Sequence, residues 1–347
     1  MTASTKFVLN MISQKDLISA FCHLSTILED KNQDLINVIN QSYANNNWLT
    51  SDNYWKSINH WKGSLTQDKI QEFISDNPIA PKPQTIGIIM AGNIPMVGFH
   101  DLLCVLLMGH SAQVKYSSDD PYVIEYLINC LKSYNPKLNN RIVVTERLQS
   151  IDAVIATGSN NSFRYFESYF KHLPRLLRKN RKSIAILDGS ETEKEYELLA
   201  HDILTYFGLG CRNVSQLFIP NGRPIEKILD CMMDYSHLIN HNKYANNYTY
   251  HKALLLMNSE QHLDTGFLLP KRRRDLLSPL ACIHYDYYES IDEIDDFISK
   301  NKEDIQCIVG NYSSTDVIPF GKAQYPDLKD FADNKNTLEF LSTLNTN

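Results

Sequence analysis

The middle of the chain alternates between short apolar runs typical of strands and longer runs with helical spacing. TIGIIMAGN (85–93) is followed by the helical pattern PMVGFHDLLCVLLMGH (95–110), and AQVKYS (112–117) is followed by PYVIEYLINCLKSY. The strand-like runs RIVVTE and DAVIATG come next. Strands that alternate with helices form a doubly wound parallel sheet, because each helix returns the chain to the same end of the sheet. We therefore predict an α/β fold whose first sheet binds a nucleotide.

The regions on either side complete the predicted architecture. Helical periodicity covers residues 14–77, and the Pro-rich break APKPQ (80–84) separates this arm from the first strand. After SIAILDG (183–189), one more helical run precedes the strand-like runs SQLFIP, KALLLMN, TGFLLP, LACIHYDYY and QCIVGN. We predict a helical arm of the first domain (1–84), a nucleotide-binding domain (85–189), a second α/β domain (190–322), and a tail that packs back or at a subunit interface (323–347).

The composition argues against several classes of protein. A formal net charge of −6 over 347 residues gives no global basic field for nucleic acid. No run approaches the roughly twenty apolar residues of a membrane span, and the N-terminal MTASTKFVLNMISQKD lacks a signal-peptide pattern. The seven cysteines are scattered without zinc-type spacing, as expected of reduced thiols. We expect a soluble cytoplasmic protein without a metal site, in which the basic runs Lys171–Lys182 and Lys271–Arg274 are solvated faces.

Polar side chains follow the first two predicted strands. Asn93 lies in AGNIP (91–95), where a strand runs into a turn, and Lys115 ends the next strand. Open α/β sheets bind ligands at the carboxyl ends of their strands. The Asn93 amide there can donate to a developing oxyanion, an interaction worth about 3 kcal/mol in comparable sites. An ordinary Asn turn and a surface lysine are the alternatives.

A third polar segment, ATGSNNSFRYF (156–166), runs from a strand into a helix. Gly158 permits close approach to the backbone, and Ser159 lies at the helix N-terminus, where amide N–H groups and the helix dipole favour phosphate. The segment does not carry the Gly-x-Gly-x-x-Gly fingerprint of dinucleotide-binding turns. Ser159 as a plain N-cap is an equally good interpretation.

A fourth segment, YFGLGCRNVSQLFIP (206–220), places Cys211 after Gly208 and Gly210 and ahead of an alternating apolar run. The two glycines let another molecule approach the backbone closely. A nucleophilic thiol must lose its proton near neutral pH, which N–H donors, Arg212 or a phosphate-rich ligand can promote. A buried inert thiol is the alternative.

The order of these segments resembles the aldehyde dehydrogenase superfamily. Asn93 at a strand end is followed by Lys115, by the Thr157-Gly158-Ser159 turn and by Cys211 in Gly-x-x-Cys. Within the superfamily, AGNIPMVGFHDLLCVLLMGH, YFGLGCRNVSQLFIP, NKYANNYTYHKALLLMN and FGKAQYPDL are similar to LuxC-like acyl-CoA (fatty acyl) reductases. The resemblance extends from NNNWLT to LEFL. It implies an aldehyde dehydrogenase-like fold, in which residues 85–189 bind a nicotinamide dinucleotide and residues 190–322 form the catalytic domain.

The resemblance also implies a role for individual residues. Cys211 matches the nucleophile that attacks the acyl thioester, releases CoA and holds the acyl group until reduced nicotinamide converts it to a free aldehyde. Asn93 matches the oxyanion-hole asparagine, with the backbone N–H of Cys211 as the second donor. Lys115 matches the lysine that holds the adenosine ribose. The other positions expected to bind the cofactor are Gly92, Thr157, Gly158, Ser159 and Gly189.

Two departures from the superfamily pattern affect the predicted chemistry. Hydrolytic aldehyde dehydrogenases activate water with a glutamate, but the matching position here holds Ile186, and Asp188 is out of register. Loss of that base suits a reductase, because water would destroy its acyl intermediate. The second glutamate of the superfamily, which holds the nicotinamide ribose, matches Asp275 in the degraded motif RRDLLSP. A surface Asp is the alternative there.

Ser118 indicates the choice of nicotinamide cofactor. Hydrolytic relatives often carry a carboxylate three residues after the matched lysine, where it accepts a hydrogen bond from the ribose 2′-hydroxyl. Ser118 holds this position here and can donate to a 2′-phosphate, so we expect NADPH. Asp119 and Asp120 are expected to cap the helix that follows rather than to repel the phosphate.

Two other functions stay open on the sequence alone. A cysteine acyltransferase or thioesterase without nicotinamide chemistry would need a basic histidine near Cys211, and His201 and His251 are candidates. A scaffold that keeps the fold without catalysis is the other. The expected partners are an acyl-CoA substrate, an acyl-supplying enzyme and further copies of the chain, because superfamily relatives often form homo-oligomers.

Overall fold

The chain divides into two compact units in the computed structural model, which describes residues 12–312 and 317–344. The first unit contains the residues up to Lys179 and those from Asp327 onward, and the second runs from Asn180 to Pro326. The segment 1–11, where no signal peptide was predicted, and the last three residues of the predicted tail lie outside the described residues. Within the described residues, no helix has both the length and the apolar character needed to cross a membrane.

Four helices precede the first strand, which confirms the helical prediction for residues 14–77. They are α1 (Gln14–Ile27), α2 (Gln33–Asn45), α3 (Ser51–Ser64) and α4 (Gln67–Ile74). Each begins at a side chain that accepts a backbone N–H of the first turn, which satisfies a donor that the helix itself leaves unpaired. These capping residues are Ser13, Asn32, Thr50 and Thr66. The apolar faces of the four helices join the core of the first unit.

The first sheet is parallel and doubly wound, as predicted. Its strands are β1 (Thr85–Ile89), β2 (Ser111–Lys115), β3 (Ile142–Val144), β4 (Ala153–Thr157) and β5 (Arg175–Arg178). They lie in the order β3-β2-β1-β4-β5. The helices of this region are α5 (Phe99–Leu107), α6 (Tyr122–Tyr134), α7 (Asn160–Tyr169) and, from the C-terminal stretch, α12 (Thr337–Thr343). The strand order reverses direction at β1 and β4, so the loops after these two strands flank the switch point of the sheet.

The basic run Lys171–Lys182 is not a solvated face throughout. Arg178 at the end of β5 is 3% exposed and forms a buried ion pair with Asp101, while its second terminal nitrogen donates to the hydroxyl of Thr337. Arg181 is 5% exposed and donates to the carbonyl of Ile305. The prediction of a solvated face is wrong for these two arginines. A buried guanidinium needs a carboxylate or carbonyl partner, which distant parts of the chain supply.

The second unit is a second parallel α/β layer. Its strands are β6 (Lys182–Ile186), β7 (Val214–Pro220), β8 (Leu269–Arg272), β9 (Cys282–Tyr288), β10 (Ile305–Gly310) and β11 (Val317–Ile318). They lie in the order β11-β10-β6-β7-β9-β8. The helices are α8 (Glu193–Leu204), α9 (Glu226–Asp230), α10 (Asn242–Met257) and α11 (Ile291–Asn301). The predicted fold class, α/β with a cofactor-type sheet and a second α/β domain carrying the cysteine, is confirmed.

Two local predictions need correction, and one strand was not predicted. Strand β6 was assigned to the segment 85–189, but it pairs with β7 and β10 in the second sheet. The run KALLLMN was predicted as a strand, but it lies mostly in the last turns of α10, because no glycine or proline interrupts the helix that starts at Asn242. Strand β5 was not predicted, since its sequence RLLR lies inside a basic run.

Candidate active site

Cys211 follows a turn with unusual backbone geometry. Helix α8 ends at Leu204, and a short 3₁₀ turn then leads to the cysteine. Tyr206, Phe207 and Gly208 in this turn have φ angles of 55°, 59° and 76°. Glycine adopts such angles freely, whereas a bulky aromatic residue does not. Strain of this kind persists only where the surroundings impose it, and it clusters at functional sites.

The side chain of Asn213 holds this turn in place. Its Nδ2 donates to the carbonyl oxygens of Asp202, Ile203 and Thr205 at 3.1, 3.2 and 2.9 Å. Its Oδ1 accepts from the backbone N–H of Gly210 at 2.8 Å. Asn213 is 1% exposed, so each of these backbone groups would otherwise be buried without this partner. This role of Asn213 was not predicted, although an asparagine two positions after the cysteine was a visible signal.

The Cys211 thiol has polar neighbours that the sequence analysis also missed. Its Sγ donates to Oδ1 of Asn180 at 3.4 Å, and its carbonyl accepts from the hydroxyl of Ser183 at 3.0 Å. The half-buried ammonium of Lys182 donates to the carbonyl of Gly208 at 3.2 Å. Burial lowers the pKa of Lys182, and the negative charge of a Cys211 thiolate opposes that shift. By the same attraction, the ammonium favours the thiolate form of the cysteine.

His201, a candidate base for a thioesterase, is held by hydroxyl groups. Its Nδ1 lies 2.7 Å from Oγ1 of Thr205 and 2.9 Å from the hydroxyl of Tyr235, and its Nε2 lies 2.9 Å from the hydroxyl of Tyr325. Both ring nitrogens therefore have partners at the end of α8, which supports a structural role. His251 lies on α10, where burial lowers its pKa.

The predicted cofactor residues of the first unit lie at the carboxyl edge of its sheet. Gly92 and Asn93 follow β1, Thr157 ends β4, and Lys115 ends β2. The Asn93 side chain is exposed. The loops after β1 and β4 flank the switch point, which is where open α/β sheets bind their ligands. Residues that are far apart in the sequence thus lie along the same edge of the first sheet.

The local contacts at this edge clarify what individual residues do. Lys115 Nζ donates to the carbonyl of Glu146 at 2.8 Å. Ser159 caps α7, since its hydroxyl accepts from the backbone N–H of Ser162. A Cβ at Gly158 would lie 2.8 Å from the Cβ of Ser162, so this glycine lets the turn pack on its own helix. The N-cap interpretation of Ser159 is confirmed, and its phosphate-binding role stays a prediction.

Asp120 does not cap the helix that follows it, and neither does Asp119. Helix α6 begins after Pro121 without a side-chain cap. The buried Asp120 carboxylate instead accepts hydrogen bonds from the hydroxyls of Tyr54 and Ser42. Burial raises the pKa of Asp120 to about 6, against the lowering effect of these hydrogen bonds. The capping prediction fails because a tertiary contact with α2 and α3 takes the carboxylate away from the helix end.

We expect Asp120 to make the stability of the first unit depend on pH. The folded pKa of about 6 lies above the ordinary 3.8, so this contribution to stability is fully present below pH 3.8 and is lost as the pH rises through 6. Between pH 5 and 8, the free energy of unfolding should fall by about 1 kcal/mol more in wild type than in Asp120→Asn. Urea unfolding at several pH values measures this. The exposed Asp119→Asn serves as control, and identical pH slopes for wild type and Asp120→Asn would contradict the assignment.

The other predicted site residues lie in the second unit. Gly189 follows β6 with a φ of 87°, and its N–H donates to Oε2 of Glu191 at 3.0 Å. The Asp275 carboxylate forms an ion pair with Arg273 at 2.9 Å and accepts from the N–H of Leu277. Ribose-binding roles for Gly189 and Asp275 therefore stay predictions.

The residues near the missing glutamate position have structural roles. Ile186, which occupies that position, is 1% exposed in the second sheet. The Asp188 carboxylate accepts from the N–H and the hydroxyl of Ser190, and these hydrogen bonds lower its pKa. In the part of the chain that the structure describes, no group of three or more His, Cys, Asp and Glu side chains is arranged to hold a metal ion.

Comparison with protein families gives one match. The model of the LuxC family, described as acyl-CoA reductase, matches residues 71–227, a range that includes Asn93, Lys115 and Cys211. A comparison with curated protein sequences found no significant match. The predicted resemblance to LuxC-like reductases and the predicted enzyme class, an oxidoreductase of the acyl-CoA reductase type, are confirmed by the family match.

Solved structures share the fold at low sequence identity. An indole-3-acetaldehyde dehydrogenase complexed with NAD+ aligns with a TM-score of 0.66 and 11% identity, over 88% of this chain and 73% of that chain. An NAD+ complex of a Mycobacterium tuberculosis aldehyde dehydrogenase aligns with a TM-score of 0.63 and 12% identity, over 87% and 73%. An NAD-dependent aldehyde dehydrogenase from Sinorhizobium meliloti aligns with a TM-score of 0.66 and 10% identity, over 88% of this chain and 71% of that chain. These similarities confirm the aldehyde dehydrogenase-like fold.

Proposed function

We propose that this chain, whose residues 71–227 match the model of the LuxC acyl-CoA reductase family, reduces an acyl-CoA or other acyl thioester to the aldehyde with NADPH. In the overall reaction, acyl-CoA, NADPH and one proton give aldehyde, free CoA and NADP+. The observation that carries the proposal is the position of Cys211, which follows a strained turn and interacts electrostatically with the half-buried ammonium of Lys182. A cysteine with only a packing role requires neither feature.

The residues of the second unit support covalent catalysis. The Cys211 thiolate attacks the thioester carbonyl, a new C–S bond forms, and CoA leaves as a thiolate that takes up a proton. Lys182 stabilises the attacking thiolate, and Asn180 orients the sulfur through the contact at 3.4 Å. Bound reduced nicotinamide would supply the hydride that converts the acyl-cysteine to the aldehyde. Ile186 at the position of the water-activating glutamate favours retention of the acyl group against hydrolysis.

The oxyanion role of Asn93 is part of the proposal. Asn93 belongs to the first unit and Cys211 to the second, so this role rests on the match to the family pattern. Removal of an oxyanion-hole donor typically costs a factor of 10² to 10³ in kcat, about 3 to 4 kcal/mol. The Asn93→Asp substitution removes the donor while it keeps the size of the side chain.

The donor groups at the edge of the first sheet suit a phosphorylated dinucleotide. Lys115 brings an ammonium, Ser118 an exposed hydroxyl, and α7 the positive end of its dipole at Ser159. Two of the solved relatives bind NAD+, which supports a nicotinamide cofactor in this fold. The proposal also includes a preference for NADPH and the release of CoA. It further includes a cytoplasmic location, an acyl-supplying partner and assembly into homo-oligomers.

Ser118 provides the test of cofactor preference. We expect wild type to prefer NADPH over NADH, and Ser118→Glu to shift the ratio of kcat/KM toward NADH tenfold or more, roughly 1.4 kcal/mol. A carboxylate repels the 2′-phosphate and accepts from a 2′-hydroxyl, whereas Ser118→Ala only removes a donor and should shift the ratio less. Equal use of both cofactors by wild type and by both variants would place Ser118 away from the ribose.

The reaction itself is tested by following NADPH absorbance with acyl-CoA thioesters and by counting free CoA and aldehyde. One CoA and one aldehyde should form for each NADPH consumed. In the reverse direction, aldehyde oxidation by NADP+ should require CoA as the acyl acceptor. Rapid formation of free carboxylic acid from aldehyde without CoA would instead indicate a hydrolytic dehydrogenase, and CoA release without NADPH consumption would indicate a thioesterase.

A further inference from the structure

A cavity lies inside the second unit next to the nucleophile. It has a volume of about 220 Å³, and its walls include the end of α8, the strained turn, α10 and the loop before β9. Asn180 and Lys182, the two residues that contact or stabilise the Cys211 sulfur, also line it. A group attached to that sulfur therefore has an adjoining space within the same unit.

One wall of the cavity carries a hydroxyl without a partner. Tyr244 of α10 lines the cavity and is 1% exposed, and its hydroxyl has no hydrogen-bond partner among the described residues. By contrast, the hydroxyl of Ser215, another lining residue, donates to the carbonyl of Leu276 at 2.6 Å. A buried polar group that is left unsatisfied destabilises the fold, and a ligand that pairs with it removes that cost. The Tyr244 hydroxyl thus lacks a partner that a ligand bound in the cavity can supply.

Apart from the ammonium of Lys182, which donates to the carbonyl of Gly208, the titratable groups that line the cavity are neutral at physiological pH. Burial raises the pKa of Tyr244, and it raises the pKa of Cys282, a further lining residue, to about 12. Both side chains therefore keep their protons. A phenol and a thiol pair well with an uncharged oxygen, whereas a carboxylate would lose its hydration without a second cation to replace it.

The volume limits the size of the occupant. A cavity of about 150 Å³ in another protein holds benzene, which has six non-hydrogen atoms. At that ratio, 220 Å³ holds about nine non-hydrogen atoms. An acyl group of six or seven carbons with one additional oxygen fits this volume. An acyl chain of sixteen carbons has about twice as many non-hydrogen atoms as this volume holds.

We propose that this cavity binds the acyl group, and that Tyr244 selects compact acyl thioesters that carry an uncharged oxygen on the chain over unsubstituted long-chain fatty acyl thioesters. The inference rests on the proposed function, since it places the acyl group of the Cys211 thioester. Tyr244 is the specificity residue in this assignment, and it donates a hydrogen bond to the oxygen of the substrate chain. A site built to pair with a polar substrate group discriminates strongly against an analogue that lacks it.

The test compares acyl groups of equal size. The matched pairs are 5-oxohexanoyl-CoA with 5-methylhexanoyl-CoA and 6-hydroxyhexanoyl-CoA with heptanoyl-CoA, and hexadecanoyl-CoA is the long-chain probe. Acylation of Cys211 is followed by protein mass without a reductant, so the readout does not depend on the nicotinamide cofactor. In wild type, we expect the second-order rate constant for acylation to favour the oxygenated member of at least one pair tenfold or more.

The Tyr244→Phe variant isolates the hydroxyl. It should reduce the preference within that pair to less than twofold while the rate with the apolar member changes little, a result that a general loss of structure would not give. Tyr250→Phe, at an exposed position of the same helix, should keep the wild-type ratio. Three results would overturn this inference and leave the proposed function standing. They are no preference in wild type, an unchanged ratio in Tyr244→Phe, and acylation by hexadecanoyl-CoA as fast as by the short thioesters. If no thioester acylates Cys211, the proposed function fails and this inference with it.

Discussion

Replacement of Cys211 by serine or alanine is expected to lower kcat for acyl-CoA reduction by about 10⁴-fold or more, because loss of a catalytic nucleophile commonly costs that much. In the absence of NADPH, wild type should gain the mass of one acyl group, and neither variant should gain it. The side chain is small and half-buried, and its hydrogen bond to Asn180 is solvent-exposed, so its loss should leave the second unit folded. Stopped-flow absorbance and intact-protein mass measure the two effects.

The cysteines elsewhere in the second unit provide the control for this experiment. Cys231→Ser should keep both activity and acylation, because Cys231 follows α9 and has no role in the proposed chemistry. An acyl adduct that maps to another cysteine in wild type, or a Cys211→Ala variant with normal turnover, would remove Cys211 from the mechanism.

The Asn213→Ala variant is expected to lose both stability and activity. Three buried backbone groups lose the partner that Asn213 provides: the carbonyls of Ile203 and Thr205 and the N–H of Gly210. The carbonyl of Asp202 loses one of two hydrogen bonds and keeps the one from the side chain of Gln324. At about 1–3 kcal/mol for each unsatisfied buried group, and with partial relief by water, the free energy of unfolding should fall by about 3–6 kcal/mol. The strained turn should then relax, and acylation of Cys211 should slow at temperatures where the variant remains folded.

Asn221→Ala is the matched control for this prediction. Asn221 is exposed and directly follows β7, the strand that Asn213 precedes. Its side chain donates a long hydrogen bond to the carboxylate of Glu289 at 3.4 Å. Its loss should change stability by less than about 0.5 kcal/mol. Denaturant unfolding and acylation rates distinguish the two variants. Wild-type values for Asn213→Ala in both assays would show that the turn does not depend on this side chain.

The strands and capped helices of the first unit follow from local sequence. Ser13, Asn32, Thr50 and Thr66 each start a helix whose apolar positions recur at helical spacing, and the runs from Thr85 to Thr157 alternate as a parallel sheet requires. In such segments, propensity, spacing and turn residues point to the same structure. Cys211 was found in the same way, because glycines, a thiol and a strand follow one another.

Other features could not be predicted because distant parts of the chain determine them. Asp120 faces two hydroxyls from helices far away in sequence, and Arg178 pairs with Asp101 across the first unit. Leu254 and Leu256 of KALLLMN are exposed on α10, which an apolar run does not predict. Lys182 is near the nucleophile only because β6 pairs with β7 in the second sheet. Each of these features depends on contacts between residues that are distant in sequence, which a local sequence pattern does not reveal.

The discontinuous first unit also fixes an order of events during synthesis. Leu338 and Leu341 of α12 are buried in its core, and the carbonyl of Leu344 accepts from the side chain of Gln84. A ribosome that has made every strand of the first sheet has not yet made α12, and the whole second unit must emerge in between. The unit that is translated first is therefore the one that finishes folding last, although domains commonly fold in the order of their synthesis. A nascent chain that stalls before Thr337 would leave the apolar surface of α5 uncovered, and chaperones and proteases recognise such surfaces.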